Sequence, residues 1–171
     1  QHLLSKPVDT QRLISLLNDI TENRKSEPYR VLLIDDDQRL LELYDDVLTE
    51  AGILVHTLSE PLKTLDVVDS FAPDVIVLDI YMPEVNGNEM AAMLRDSGYQ
   101  LPILFLSSEH DKSLQLLALE HGGDDFLQKP VPAEHLIATV KARAKRSKDS
   151  TAVCNNLETT LYERDRERLA I

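Results

Sequence analysis

Chemically reactive side chains follow four short apolar runs of the chain. They are an acidic cluster after the first run and one residue after each of the others: Asp35, Asp36, Asp37, Asp79, Ser107 and Lys129. Crowded carboxylates repel one another unless a cation lies between them, and a hard divalent ion such as Mg²⁺ prefers oxygen ligands. A carboxylate can also attack phosphorus and form an acyl phosphate. The residue types are therefore compatible with Mg²⁺ binding and with phosphoryl transfer to one carboxylate.

The four runs have the length and composition of buried strands. They are Val31–Ile34, Val75–Leu78, Ile103–Leu106 and Phe126–Leu127. We predict strands near 30–34, 53–57, 74–78, 103–106 and 125–127. Because ligands of an open parallel sheet bind at the carboxyl ends of its strands, we expect the reactive side chains to meet at one edge.

Amphipathic segments alternate with these strands. Apolar residues recur at three- and four-residue spacing near 38–50, 61–70, 87–97, 112–121 and 133–147, which predicts helices there. Gly52, Pro73, Gly98 and Pro102 separate the elements. Five strand–helix units predict an α/β fold in which a doubly wound parallel sheet carries helices on both faces.

Composition narrows the classes of partner. The chain has 171 residues, 43% of them hydrophobic, which suits one domain of ordinary size with flanking segments. A net charge of −12 argues against direct binding of nucleic acid, which requires a basic face. No run is long enough to cross a membrane and no signal peptide opens the sequence, so we expect a cytoplasmic protein. The single cysteine, Cys154, excludes an internal disulfide.

Taken together, the motifs resemble those of CheY-like receiver domains in bacterial two-component response regulators. The resemblance runs from about residue 29 to 148. Its signature segments are Val31–Asp37, Val77–Pro83 with Gly87 beyond it, Leu106–Ser108 and Gly123–Pro130. The resemblance implies a flavodoxin-like sheet of five parallel strands in the order 2-1-3-4-5.

The resemblance also implies a role for each site residue. Asp79 would accept a phosphoryl group from a histidine kinase or phosphotransfer protein. Asp36 and Asp79 would ligate Mg²⁺ directly, Asp35 would assist through water, and the backbone carbonyl of Tyr81 would complete the protein ligands. Lys129 would supply positive charge and Ser107 a hydroxyl to the phosphoryl oxygens, since phosphoryl transfer depends on neutralising their charge.

Further residues match positions that read out or tune phosphorylation in this family. Ser107 would be the switch hydroxyl that turns toward the phosphoryl group, and Phe126 the aromatic coupled to it. Tyr81 and Glu109 would set the lifetime of the acyl phosphate. The resemblance also implies a cis peptide bond before Pro130.

Four of these residues have a purely structural alternative. Asp79 could cap a turn or helix, Ser107 could satisfy backbone groups at a strand end, and Phe126 could be a core aromatic. For Asp37 the structural role is favoured, because the two preceding acids match the family positions; we expect Asp37 to cap the first helix.

The two ends of the chain suggest a larger protein. Residues 4–14 repeat the pattern of residues 127–137, which indicates the end of a preceding receiver-like domain. We predict three parts: residues 1–28 with a final helix near 9–23, a receiver domain at 29–148, and a helical linker at 149–171 that leads to an output domain. The resemblance implies that this output domain is an enzyme such as a diguanylate cyclase or a kinase. We also expect that the chain can form a homodimer.

Two other classes of function share parts of this pattern. A phosphatase or phosphotransferase that turns over at an aspartate commonly has a second acid two residues later, where this chain has Tyr81. A phosphorylation-independent interaction module would not need the acidic pair, Asp79, Ser107 and Lys129. The segment His121–Phe126 resembles a diguanylate cyclase signature, but it leads directly into the last predicted strand. We therefore expect a signalling domain and not a turnover enzyme.

Overall fold

The computed structural model describes residues 27–83, 85–108 and 123–150 with their side chains, and the backbone from there to residue 168. Strands and helices alternate along these parts. The strands are β1 Arg30–Ile34, β2 Leu54–Leu58, β3 Val75–Asp79, β4 Ile103–Ser107 and β5 Asp125–Gln128. The helices are α1 Gln38–Glu50, α2 Thr64–Phe71, α3 Gly87–Asp96 and α4 Ala133–Arg168, and a 3-10 turn at Pro61–Lys63 precedes α2.

All five strands are parallel and form one sheet in the order β2-β1-β3-β4-β5. This confirms the predicted fold class and strand order. The predicted strands near 53–57 and 74–78 each begin and end one residue later in the structure. Because β3 lies between β1 and β4, Asp79 sits near the middle of the sheet edge, paired in register with Leu106.

Two apolar layers cover the sheet. On one face, α1 and α4 pack through residues such as Leu41, Leu48, Leu136 and Val140. On the other face, α2 and α3 contribute residues that include Val68, Met90 and Leu94. The central strands are buried on both faces, which explains why they appear in the sequence as continuous apolar runs.

The first helix is bounded by the signals that its sequence predicts. Asp37 is its N-cap, and the side chain accepts a hydrogen bond from the Arg39 amide at 2.9 Å. At the other end Gly52 adopts a φ of 79°, and the Ile53 amide donates to the Leu48 carbonyl at 3.1 Å. This is a Schellman arrangement, in which glycine takes the left-handed position at no steric cost.

The last helix joins two helical segments that the sequence predicted separately. We expected a helix near 133–147 followed by a helical linker from residue 149. Residues 149–168 are helical, as expected, but α4 runs through both segments without a break. The reason is local, since neither glycine nor proline occurs between Lys148 and Arg168. The predicted helices near 9–23 and 112–121, and the repeat at residues 4–14, lie outside the described residues.

None of the helices in the described parts of the chain combines the length and the apolar character that membrane crossing requires.

Candidate functional site

The reactive side chains meet at the carboxyl edge of the sheet, as predicted. Asp35 and Asp36 directly follow β1, and Asp79 is the last residue of the neighbouring strand β3. Ser107 ends β4 and Lys129 directly follows β5. The fold thus brings together residues from four adjacent strands.

Lys129 lies between two buried carboxylates. Its Nζ donates to Asp35 Oδ2 at 2.6 Å and to Asp79 Oδ1 at 2.8 Å. The lysine side chain is 13% exposed, and those of Asp35 and Asp79 are 2% and 6% exposed. The peptide bond between Lys129 and Pro130 is cis, which confirms that expectation. Because Lys129 Nζ contacts both carboxylates and its side chain is largely buried, the ammonium group is held beside the candidate phosphoacceptor.

A third carboxylate makes the cluster unbalanced in charge. Oxygen atoms of Asp35, Asp36 and Asp79 all lie within 4.8 Å of one another. Asp36 is exposed, so the cluster opens to solvent on its side. Three carboxylates against one ammonium give these four groups a formal charge of −2 when all are ionised. Carboxylate oxygens that converge with excess negative charge suit a divalent cation.

The pKa of Asp79 reflects this environment. Burial raises the pKa above its usual value of 3.8, and the charges of Asp35 and Asp36 act in the same direction. The hydrogen bond and charge of Lys129 lower this pKa but do not cancel the effect of burial. A cation at the cluster would favour the ionised carboxylate, which is the form that can act as a nucleophile.

The pKa of Lys129 is raised as well. Burial alone lowers it, but the hydrogen bonds to Asp35 and Asp79 and the charges of both carboxylates outweigh burial. Lys129 therefore remains cationic at neutral pH. A permanent ammonium is suited to stabilising charge on phosphoryl oxygens.

Asp37 supports the cluster without belonging to it. Its backbone amide donates to Asp35 Oδ1 at 2.9 Å, while its side chain caps α1. The structure thus confirms the capping role predicted from the sequence. The structure adds the hydrogen bond from the Asp37 amide, which orients Asp35. The residue type could not predict this bond, because the donor is a backbone group.

Gly87 is required for the loop that follows Asp79. Its amide donates to the Ile80 carbonyl at 2.9 Å. A Cβ at this position would lie 2.4 Å from the Asp79 carbonyl oxygen and 2.9 Å from the Ile80 Cα. Any side chain would therefore push α3 away from the strand end. The sequence identified Gly87 only as part of a motif, and the close backbone approach gives the physical reason.

Those candidate switch and tuning residues that the structure describes differ in burial. Ser107 is buried at the end of β4, and its carbonyl accepts from the Lys129 amide at 2.7 Å. Phe126 is half-buried and packs against the apolar layer formed with α2 and α3. Tyr81 is 42% exposed. Glu109 lies outside the described residues, so its predicted role stays a prediction.

The pairing of Lys129 with Asp35 was not foreseen from the sequence. The resemblance placed Lys129 beside the phosphoryl group but did not specify its carboxylate partners. These two residues are 94 positions apart, and only the strand order brings them together.

Comparison with known proteins gives a family for this arrangement. The model for the response regulator receiver domain matches residues 31–141, which is more than half of the chain. The match spans β1 to the first part of α4 and so contains every described residue of the cluster.

Curated relatives include longer proteins. The response regulator MprA of Mycobacterium tuberculosis is 36% identical over 123 residues, covering 72% of this chain and 54% of MprA. An uncharacterized 76.5 kDa protein of Thiocystis violacea is 34% identical over 161 residues, covering 91% of this chain and 23% of that protein. The chain therefore spans about half or less of these relatives.

Solved structures agree with the family. The receiver domain of the Francisella response regulator 1452 is 29% identical, with a TM-score of 0.66, and the match covers 71% of this chain and 99% of that one. The chemotaxis protein CheY4 of Vibrio cholerae is 27% identical, with a TM-score of 0.64, over 68% of this chain and 99% of that one. The chain belongs to the response regulator receiver domain family.

Proposed function

We propose that Asp79 accepts a phosphoryl group in a Mg²⁺-dependent reaction and that this modification switches the receiver. The observation that carries the proposal is the position of Lys129, whose Nζ lies 2.8 Å from Asp79 Oδ1 within a cluster of three carboxylates. This arrangement places a nucleophile, a fixed cation and oxygen ligands at one point of the sheet edge.

The acidic cluster fits a Mg²⁺ site. Asp36 and Asp79 would be direct ligands, Asp35 would act through water, and the Tyr81 backbone carbonyl would be the remaining protein ligand. The excess negative charge and the close oxygen atoms support this assignment. A bound Mg²⁺ supplies positive charge to the phosphoryl oxygens and so complements Lys129.

The proposed reaction is a transfer between two side chains. A carboxylate oxygen of Asp79 attacks the phosphorus of a phosphohistidine on a histidine kinase or phosphotransfer protein. The new oxygen–phosphorus bond forms as the phosphorus–nitrogen bond breaks, and the electron pair returns to the imidazole nitrogen, which takes a proton. Lys129 stabilises the negative oxygens of the transferred group.

Ser107 and Phe126 are proposed to read out the modification. Ser107 immediately follows Leu106, the register partner of Asp79, so its hydroxyl belongs to the same sheet edge. Phe126 is only half-buried, which leaves it room to change position. The phosphoryl group would favour one of two packings and so shift a pre-existing equilibrium. Tyr81 and Glu109 are proposed to tune the lifetime of the acyl phosphate.

The receiver is further proposed to be one part of a multidomain protein. The repeat at residues 4–14 supports a preceding receiver-like domain. The match to the Thiocystis violacea relative covers 91% of this chain, which is more than the receiver domain alone, but only 23% of that protein. A following output domain, such as a diguanylate cyclase or a kinase, and a homodimer belong to the same proposal, as does a cytoplasmic location.

Intact mass after incubation with acetyl phosphate tests the proposal. We expect one added phosphoryl group on the native chain in the presence of Mg²⁺, and none after chelation. Asp79→Asn should show no addition, whereas Asp37→Asn, a neighbouring acid outside the cluster, should still be modified. Modification of Asp79→Asn would assign the acceptor elsewhere. Absence of the phosphoryl adduct, together with no binding of beryllofluoride in a separate titration with Mg²⁺, would favour a phosphorylation-independent interaction module.

A further inference from the structure

A second lysine makes its contacts at the opposite edge of the sheet. Lys148 Nζ lies 3.6 Å from Asp74 Oδ2, donates to the Pro28 carbonyl at 3.4 Å and lies 5.5 Å from the centre of the Tyr29 ring. Its side chain is 29% exposed and that of Asp74 is 14% exposed. One ammonium group on the last helix thus reaches three residues near the amino ends of β1 and β3.

The partners of Lys148 are firmly held by the sheet. Asp74 Oδ2 accepts from the Arg30 amide at 2.8 Å, and the Asp74 amide donates to the Arg30 carbonyl at 2.8 Å. The Tyr29 carbonyl accepts from the Leu54 amide at 2.8 Å. Lys148 therefore joins α4 to Asp74 and Tyr29, which are themselves hydrogen-bonded to β1 and β2.

The position of Lys148 on its helix has a simple geometric basis. Leu136, Val140 and Ala144 are fully buried and follow one another at four-residue spacing along the inner face of α4. Lys148 is the next residue at this spacing, where the apolar stripe reaches the edge of the sheet. A long side chain with an apolar stem and a charged end is suited to such a boundary.

These contacts join the segment that enters the receiver to the helix that leaves it. Pro28 and Tyr29 form the segment that leads into β1, and α4 runs on beyond Lys148 to Arg168. The site is separated from Asp79 by the length of β3, roughly 16 Å for five residues at the usual strand rise. The two flanking segments thus meet at a point remote from the acidic cluster.

We propose that Lys148 is a clasp that holds the outgoing helix α4 against the incoming segment Pro28–Tyr29 and so fixes the relative direction of the two flanking parts of the chain. The clasp makes α4 leave the receiver as a continuous helix that is attached at its exit. A change in the packing of α4 is then passed on as movement of a rigid rod. This inference does not depend on phosphorylation of Asp79.

Hydrogen exchange of the full chain tests the clasp. In Lys148→Met, which keeps most of the apolar stem and loses the charge, we expect the amides of residues 145–152 and those of Tyr29 and Arg30 to exchange roughly two- to fivefold faster. Lys145→Met is the matched control, since Lys145 is an exposed lysine of the same helix. It should leave these rates unchanged.

A double-mutant cycle shows whether the effect belongs to the proposed pair. Asp74→Asn removes the charge and keeps an oxygen that can accept from the Arg30 amide. We expect Lys148→Met to have a smaller effect in the Asp74→Asn background, and high salt to accelerate exchange in the native chain more than in Lys148→Met. Equal exchange in Lys148→Met and Lys145→Met, or full additivity with Asp74→Asn, would overturn the proposal.

Discussion

The two edges of the sheet use charged side chains in different ways. At the amino edge, charges are matched and directed at backbone groups: Arg95 donates to the carbonyls of Tyr99 and Leu101 at 2.9 and 3.0 Å, and Asp124 accepts from both Arg95 and the Ile103 amide. At the carboxyl edge, one lysine pairs with two members of a cluster of three carboxylates.

The difference explains which edge can do chemistry. Charges that pair with one another and with backbone groups, as those of Arg95 and Asp124 do, stabilise the fold. The carboxyl-edge cluster retains a formal charge of −2, so its stability depends on pH and on cations. The first edge is therefore a structural device, whereas the second suits a cation and a phosphoryl group.

The largest expected effect comes from removal of the shared lysine. Lys129→Met leaves two buried carboxylates without their cation, and we expect the free energy of unfolding to fall by about 3–5 kcal/mol at neutral pH without Mg²⁺. Urea denaturation measures this loss. Lys63→Met is the control, because Lys63 and its partner Glu60 are 58% and 65% exposed, and it should cost no more than about 0.5 kcal/mol. Similar losses in both variants would contradict the account.

A smaller loss is expected at the loop that positions the phosphoacceptor. Gly87→Ala places a methyl group against the Asp79 carbonyl, and we expect the free energy of unfolding to fall by about 1–3 kcal/mol. Because the strand end must shift, Mg²⁺ affinity should weaken as well. Gly98→Ala is the control. It has a φ of 90° but meets nothing within 4 Å, so it should cost stability without changing Mg²⁺ affinity. A reduced Mg²⁺ affinity in both variants would remove the proposed link to the site.

At the amino edge, Arg95→Met should reduce stability by about 1–2 kcal/mol. Its two carbonyl bonds carry most of the effect, since Asp124 is 40% exposed and its ion pair is screened by water. Urea denaturation with and without Mg²⁺ separates the two edges. We expect the same increment of Mg²⁺ stabilisation in Arg95→Met as in the native chain, and a changed increment would show that the edges are coupled.

The sequence predicted many, but not all, of the features that distinguish the two edges of the sheet. Buried parallel strands are continuous apolar runs, so the residues that follow them, such as Asp79 and Lys129, could be assigned to one edge. The Asp37 cap followed from residue type and position. Contacts between distant segments could not be predicted, because Arg95 and Asp124 meet only after the sheet forms. The helical character of residues 149–168 was predicted, but its continuity with the preceding helix was not, because a change in composition was interpreted as a boundary.

The smallest expected effect is the pH dependence at the carboxyl edge. Burial raises the pKa of Asp79, so folding favours its protonated form. The protonated carboxyl group stabilises the folded state fully below the ordinary pKa of 3.8. This contribution is lost as the pH rises through the raised pKa of Asp79 in the folded protein. Without Mg²⁺, we therefore expect the native chain to lose stability over this range relative to Asp79→Asn, as followed by urea denaturation. A parallel pH profile for the two proteins would contradict the shift.

The central claim is that phosphate is carried by Asp79 and by no other carboxylate of the cluster. Borohydride reduces an acyl phosphate to an alcohol, which marks the modified residue permanently. Peptide mass spectrometry of the full chain, after acetyl phosphate, Mg²⁺ and borohydride, should locate homoserine at position 79, while Asp35 and Asp36 remain unchanged. Homoserine at position 35 or 36, with position 79 intact, would contradict the account.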